Sequence, residues 1–409
     1  MDNTSNSPPV VQGAIPMMAA ACGITVANVY LCQPLLSAVA TSFHASASEA
    51  GLVATGAQVG YATGILLVVP MADRADPRRL IQILLALSCA ALVCAGLSPS
   101  VYFLALLTLL ATTMTVVPQV LIPVAVSLAA PGKSGRVVGT MQTGLILGIL
   151  LSRTVSGAVG QFSGSWRASY FVAAALTGLL LIVLPRYIPD RRVESAANKE
   201  SYISLLASLP RLLLEWRDLR FSSALGASMF GAFSAFWGTL AFHLAQPPFG
   251  FGSAQAGLFG LWGAAGALIA PQCGRLSDRF GPTAVNVISL CSAALAFTAF
   301  VSGGDISILA LVVGVNLLDF GNQAGQIANQ ARIFKLDSTA RARLNTVYMV
   351  FTFASGALGS AIGAAAWTAA GWNGVCATGF GLVALVACLL IARTLVKGKP
   401  VITSRSTYK

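Results

Sequence analysis

Runs of about twenty apolar residues, each long enough to cross a bilayer as a helix, recur from one end of this chain to the other. No other feature restricts its fold as tightly. Twelve can be read, over residues 15–40, 49–70, 80–97, 101–128, 137–160, 168–184, 219–244, 254–272, 283–301, 306–330, 344–367 and 374–392. Turn residues separate them: Ser98-Pro99, Pro131-Gly132, Pro247-Pro248, Ser302-Gly303-Gly304 and Gly371 fall between runs. Ser46, followed by Glu49, reads as a capping box opening the second run. Only 9% of the 409 residues are charged, where a soluble domain carries roughly 25%. The expected fold class is therefore an all-α membrane protein with twelve transmembrane helices. The polar first 14 residues contain no Lys or Arg and do not read as a secretory signal.

Basic residues set the expected topology. With the N-terminus inside, 23 of the 25 Lys and Arg fall in cytoplasmic segments, leaving Arg167 outside and Arg153 within a span. That asymmetry predicts both termini in the cytoplasm. It also accounts for the net charge of +12 without a nucleic-acid partner; weak attraction to anionic lipid is a by-product. The eight cysteines show no zinc spacing and read as small core residues. His44 and His243 are far apart and read as structural or solvated. "PGKSGR" near residue 133 lacks the first glycine of a phosphate loop, so no cofactor or metal is expected.

The chain repeats itself once. "SASEAGLVATGAQVGYATGILLVVPMADRADP" (46–77) aligns with "SAQAGLFGLWGAAGALIAPQCGRLSDRFGP" (253–282), setting Asp73-Arg74 on Asp278-Arg279 and Pro77 on Pro282. Internal duplication of this kind is typical of transporter folds. It divides the chain into a six-helix bundle over 1–185, a cytoplasmic linker over 186–218 and a second bundle with a basic tail over 219–409. In the linker, "YISLLASLPRLLLEW" reads as an interfacial amphipathic helix.

"ADRADPRRL" and "GRLSDRFGP" resemble the G-x-x-x-D-R-x-G-R/K loop motif of the major facilitator superfamily. Val69 and Asp76 stand where the motif has glycines, and Pro282 replaces the trailing basic residue of the second copy. "ANVYLCQPLL" (27–36) and "GRVVGTMQTGLILGILLSRTVSG" (135–157) further resemble a bacterial drug:proton antiporter-like group, although the fourth span has no Arg and the fifth no Gly-Pro pair. The resemblance implies two pseudo-symmetric six-helix bundles, with helices 1, 4, 7 and 10 around a central cavity. It also implies that the loop motif bridges the halves and stabilises the outward-facing state. Asp73, Arg74, Arg78, Asp278, Arg279, Arg341 and Arg343 are the residues expected in that network.

Polarity within the spans is concentrated in "NLLDFGNQAGQIANQ" (316–330). Asn316, Asp319, Gln323, Gln326 and Gln330, spaced 3, 4, 3 and 4, share one helical face, with Asn322 and Asn329 beside it. Such a face cannot meet lipid, because each unsatisfied amide would cost several kcal/mol. It must line water, a substrate path or other polar groups. Thr108, Thr112, Thr115 and Gln119 form a milder stripe on the fourth span. Thr25, Asn28, Tyr30 and Gln33 cluster on the first, and Ser234, Trp237 and Thr239 mark the seventh. Glycine steps occupy the second, fifth, eighth and eleventh spans: Gly56-Gly60-Gly64, Gly144-Gly148, Gly257-Gly260-Gly263-Gly266 and Gly359-Gly363. They let helices approach closely.

Asp319 and Arg153 are embedded charges, which mark functional positions in membranes. Three roles are open to Asp319: exchanging the coupling proton, a fixed salt bridge to Arg153, or direct binding of a cationic substrate. Arg153 is either a structural partner or the anchor of an anionic one. The leading expectation is a proton-coupled secondary transporter of the bacterial inner membrane, monomeric, exporting a small and largely apolar compound by alternating access. Asn28, Tyr30, Gln33, Gln119, Trp237, Asn316, Asn322, Gln323 and Gln326 would line its path. The rivals are an importer or uniporter of a polar or anionic metabolite held by Arg153 and, more remotely, an integral membrane enzyme.

Overall fold

Side-chain caps start several of the helices. Ser46 Oγ accepts from the Glu49 N–H at 3.2 Å while Glu49 Oε2 accepts from the Ser46 N–H at 2.8 Å, completing the capping box. Asp76, Ser100 and Ser307 each accept a backbone N–H two or three residues on. The computed structural model describes residues 13–72, 74–130, 133–189, 201–269, 272–337 and 340–397. In chain order its helices are α1 (Ala14–Tyr30), α2 (Leu36–Phe43), α3 (Ala47–Leu67), α4 (Val69–Ala72), α5 (Pro77–Gly96), α6 (Val101–Met114) and α7 (Val117–Ser127). They continue as α8 (Ser134–Phe162), α9 (Trp166–Val183), α10 (Tyr202–Glu215), α11 (Arg217–Ala245), α12 (Ser253–Trp262), α13 (Ala264–Ile269), α14 (Gln272–Phe280), α15 (Pro282–Gly303), α16 (Ile308–Ile333) and α17 (Arg341–Lys397).

Ten helical runs among the described residues are long and apolar enough to cross a membrane. The difference from the twelve spans read in the sequence lies in two places. Residues 253–280 are split into α12, α13 and α14, so no single helix there reaches spanning length. At the other place α17 runs on for 57 residues, which at 1.5 Å per residue is about 85 Å, nearly three times a hydrocarbon core of about 30 Å. It is broken at Ala370 and Gly371, where Gly371 takes φ 57°, a left-handed value that glycine adopts without a Cβ penalty.

Helix registers follow from close backbone approaches. Gly23 of α1 lies on Gly144 and Gly148 of α8, and Gly56, Gly60 and Gly64 of α3 lie on α6 at Ala105, Leu109 and Thr113. Gly359 and Gly363 of α17 lie on α11 at Gly231 and Ala235. These glycine steps therefore pack helices from the same half of the chain. Gly257 and Gly260 of α12 are different: they meet Arg153 and Leu150 of α8. Beside them Thr154 Oγ1 donates to Gly257 O at 3.0 Å, Ser253 Oγ to Gly157 O at 2.9 Å, and the Ala254 N–H to Gln161 Oε1 at 2.8 Å. A second crossing joins α3 to α17, with Tyr61 edge-on to Phe353 at 4.6 Å and Gly51 against Ala364. The residues that touch lie toward the C-terminal end of α8 and the N-terminal ends of α3 and α12. Toward its N-terminal end α8 exposes Gly139, Gln142 and Thr143.

α10 carries the amphipathic linker segment. It buries Leu209 and Leu212, exposes Ile203 and Leu214, and is tied to α3 by Tyr202 OH donating to Leu67 O at 2.7 Å. His243 is a packing residue, stacked 3.9 Å from Trp372 and hydrogen-bonded to Gly304 O at 2.9 Å.

Candidate functional site

A helix break creates the centre of the molecule. α1 stops at Tyr30 and resumes at Leu36, across a short 3-10 turn over Gln33–Leu35. Pro34 lacks an N–H and disfavours a helical conformation in the residue before it. Gln33 Oε1 then accepts from Arg153 Nε at 2.7 Å. The Arg153 guanidinium lies over Trp237 at 3.8 Å, Tyr30 at 5.1 Å and Phe233 at 5.7 Å. It is 1% exposed, and its Nη2 has no hydrogen-bond partner in the protein. Desolvated cation–π contacts are worth about 2 kcal/mol or more, of the same order as the roughly 2.5–3.5 kcal/mol insertion cost of a mid-membrane charge. Aromatic faces and one amide thus hold this cation where a carboxylate would ordinarily do so. A cavity of about 10 Å³ opens beside it, lined by Gln33, Pro34, Trp237, Leu240, Ala241 and Ala256, room for about one water.

A second break positions the acid. α12 and α13 part at Gly263, and Asn316 of α16 satisfies the freed backbone: its Nδ2 donates to Trp262 O at 2.6 Å and its Oδ1 accepts from the Gly266 N–H at 3.1 Å. One turn on, Asp319 lies over Gly263, where a Cβ would collide with Oδ2. Asp319 is 5% exposed and stands beside the Trp237 indole. Its Oδ2 and Trp237 Nε1 make no hydrogen bond within the protein. No ion pair within 4.0 Å joins Asp319 to Arg153, so the fixed salt bridge is absent from this conformation.

Of the residues expected to line a path, Tyr30, Gln33 and Trp237 therefore meet Arg153 and Asp319 at one centre. Others do not. Asn28, about 200° around α1 from Tyr30, points away and donates to Thr177 Oγ1 of α9 at 3.3 Å. Asn316 is a structural tie between helices. Gln326 reaches Met349 Sδ at 3.9 Å and Gln330 donates to Asn345 Oδ1 at 3.1 Å, both on α17. Gln323 is half-buried and Asn322 buried. The threonine stripe of the fourth span lies inside the helix packing: Thr108 bonds Tyr170, Thr115 bonds Ser88, and Thr112 bonds carbonyls of its own helix. Threonine can satisfy its hydroxyl that way without any cavity. Half-buried Gln119 lies beside Tyr61.

The loop network also differs from expectation. Asp73 lies outside the described residues. Arg341 donates to Phe334 O at 3.1 Å, capping the end of α16 rather than reaching across. Asp278 and Arg279 are exposed, with Arg279 over Phe280, and no ion pair joins Asp278 to Arg74 or Arg341. Arg78 gives its backbone N–H to Asp76, and Arg343 is half-buried in the first turn of α17.

Arg332 was one of the basic residues assigned to a loop, yet it is 6% exposed. It donates to Ser222, Asn329, Thr283 and Asn286 at 3.1, 3.1, 3.4 and 2.7 Å and lies over Phe221. Its spacing from Asn329, three residues on one face, was the available signal. Phe233, four residues before Trp237, was likewise missed at the centre.

The family model of the Major Facilitator Superfamily matches residues 18–336. The chain belongs to this superfamily. It is 40% identical over 376 residues to "Uncharacterized transporter YgaY" of Escherichia coli O157:H7, covering 92% of this chain and 94% of that one. It is 35% identical over 364 residues to "Probable transporter SCO4007" of Streptomyces coelicolor, covering 89% and 83%. The crystal structure of a bacterial homolog of the human lysosomal transporter Spinster, inward-facing and unoccupied, superposes with a TM-score of 0.74 at 16% identity, over 96% of this chain and 98% of that one. The fold and the relatives make this superfamily member a multi-pass membrane transporter, not an enzyme.

Proposed function

We propose that this protein is a proton-coupled exporter of a small, largely apolar compound in the bacterial inner membrane, of the drug:proton antiporter-like kind. In this reading it works as a monomer, with both termini cytoplasmic. The bundles over 1–185 and 219–409 rock about the 186–218 linker. The observation that carries the reading is the arrangement of Asp319: a buried carboxyl with an unsatisfied oxygen, sharing the Trp237 indole with an Arg153 that has no carboxylate partner. Protonated, Asp319 is neutral and leaves Arg153 to its aromatic cage. Deprotonated, it attracts Arg153, so proton gain and loss alter the force between α8 and α16. The α8–α12 and α3–α17 crossings, held at one end and parted at the other, support a state open on the side of the α8 N-terminus.

Asp319→Asn should fold and insert normally yet lose proton-driven flux in everted vesicles. Undiminished flux under an imposed pH gradient removes the coupling role. A second reading, an importer or uniporter of an anionic metabolite, draws on the unsatisfied Nη2 of Arg153 beside its small cavity. The direction in which an imposed proton gradient drives flux separates the two readings.

A further inference from the structure

The largest concavity of the described residues is not at the charged centre. It is a groove of about 630 Å³ with α1 as its floor and α8 and α9 as its walls. Leu151 and Val155 line it and are 45% and 46% exposed. Each is two residues from Arg153 and therefore about 200° around α8, so the groove looks away from the centre and out toward lipid. Its depth has a sequence cause: Ala20, Gly23 and Ala27 give α1 a shallow face there, and Gly144 and Gly148 draw α8 down onto it. The lining runs from Thr140 to Val159 on α8, about 28 Å at 1.5 Å per residue, close to the thickness of the hydrocarbon core.

One end of this apolar trough is basic. Arg136, Thr140, Thr143, Leu147 and Leu151 follow each other at spacings of 4, 3, 4 and 4, which sets Arg136 on the groove stripe one turn beyond its lining. Arg136 and Lys133 are exposed. Arg186, exposed at the matching end of α9, spends one nitrogen on Ile182 O at 2.6 Å and keeps its other donors. None of the three forms an ion pair with a described carboxylate. An acyl-sized apolar trough ending in uncompensated cations matches one chemical class of partner.

We propose that this groove is a binding site for an anionic glycerophospholipid, one acyl chain lying along α1 and the phosphate held by Arg136 and Arg186. The inference is independent of substrate, coupling and direction of transport. It is tested by native mass spectrometry of the full chain in detergent, with phosphatidylglycerol, phosphatidylcholine and diacylglycerol of matched chains. Wild type should retain phosphatidylglycerol in preference to both others. Arg136→Gln with Arg186→Gln should lose the preference by about fivefold per cation removed, while Arg211→Gln, on α10 and outside the groove, should keep it. Ala20→Phe, which fills the trough from a lipid-exposed position, should lower retention of phosphatidylglycerol itself. Equal retention of the three lipids, a preference unchanged in the double variant, or full displacement by glycerol phosphate lacking acyl chains would each overturn the proposal. So would undiminished retention in Ala20→Phe, since the acyl chain would then lie elsewhere.

Discussion

Two arginines are buried in this protein and they are held in opposite ways. Arg332 makes four hydrogen bonds to side-chain oxygens of α11, α15 and α16 and covers Phe221. Arg153 makes one, to Gln33, and otherwise rests on aromatic faces with Nη2 unsatisfied. A charge saturated by neutral donors and acceptors is a fixture, because any movement breaks several charge-assisted bonds at once. A charge held by aromatic faces has little to break, since those contacts are broad in geometry. The first belongs to a rigid joint between helices; the second stands where a transporter must change its contacts between states.

The largest effect that could break this contrast is on flux. Arg153→Gln should reduce transport to background while leaving thermal stability within about 1 kcal/mol of wild type, since removing an uncompensated buried charge is often neutral. Equal losses of flux and melting temperature would make Arg153 another fixture. Arg332→Gln should do the reverse: each hydrogen bond to a charged group is worth roughly 1.5–3 kcal/mol, so a stability loss of about 3 kcal/mol is expected by thermal unfolding in detergent, with coupling intact in the protein that folds. Trp237→Phe keeps an aromatic face under Arg153 but removes the indole N–H beside Asp319. A loss of about 1 kcal/mol, read as a several-fold fall in proton-driven flux, is expected, with a deeper fall in Trp237→Ala. Smallest is Ser222→Ala, which removes one of the four bonds to Arg332 and should cost about 1 kcal/mol in stability and nothing measurable in flux.

The polar face of α16 shows how far the sequence could be read. The spacing of Asn316, Asp319, Gln323, Gln326 and Gln330 specified a single face, and its exclusion from lipid follows from the cost of unsatisfied amides. The use of each residue did not follow. Asn316 serves the α12–α13 break some fifty residues earlier in the chain, and Gln326 and Gln330 turn to α17. Thr108 and Thr115 misled in the other direction, because a hydroxyl buried between helices looks in sequence like one that lines water. Asn28, close in sequence to Tyr30, stands on the opposite side of α1. Arg332 counted as one more basic residue near a membrane edge until a helix end carried it inward.

Hydropathy and charge placement by themselves determined an all-helical membrane protein, its internal repeat and the two embedded charges, because bilayer thickness and the cost of desolvating backbone and charge act on every segment separately. Only the tertiary structure decided that Arg153 pairs with aromatic rings instead of Asp319, that a broken helix holds Asp319 at the centre, and that α8 turns an apolar trough outward. Those outcomes depend on the register between helices far apart in the chain, and register is set by which backbones can approach, a property of pairs of helices.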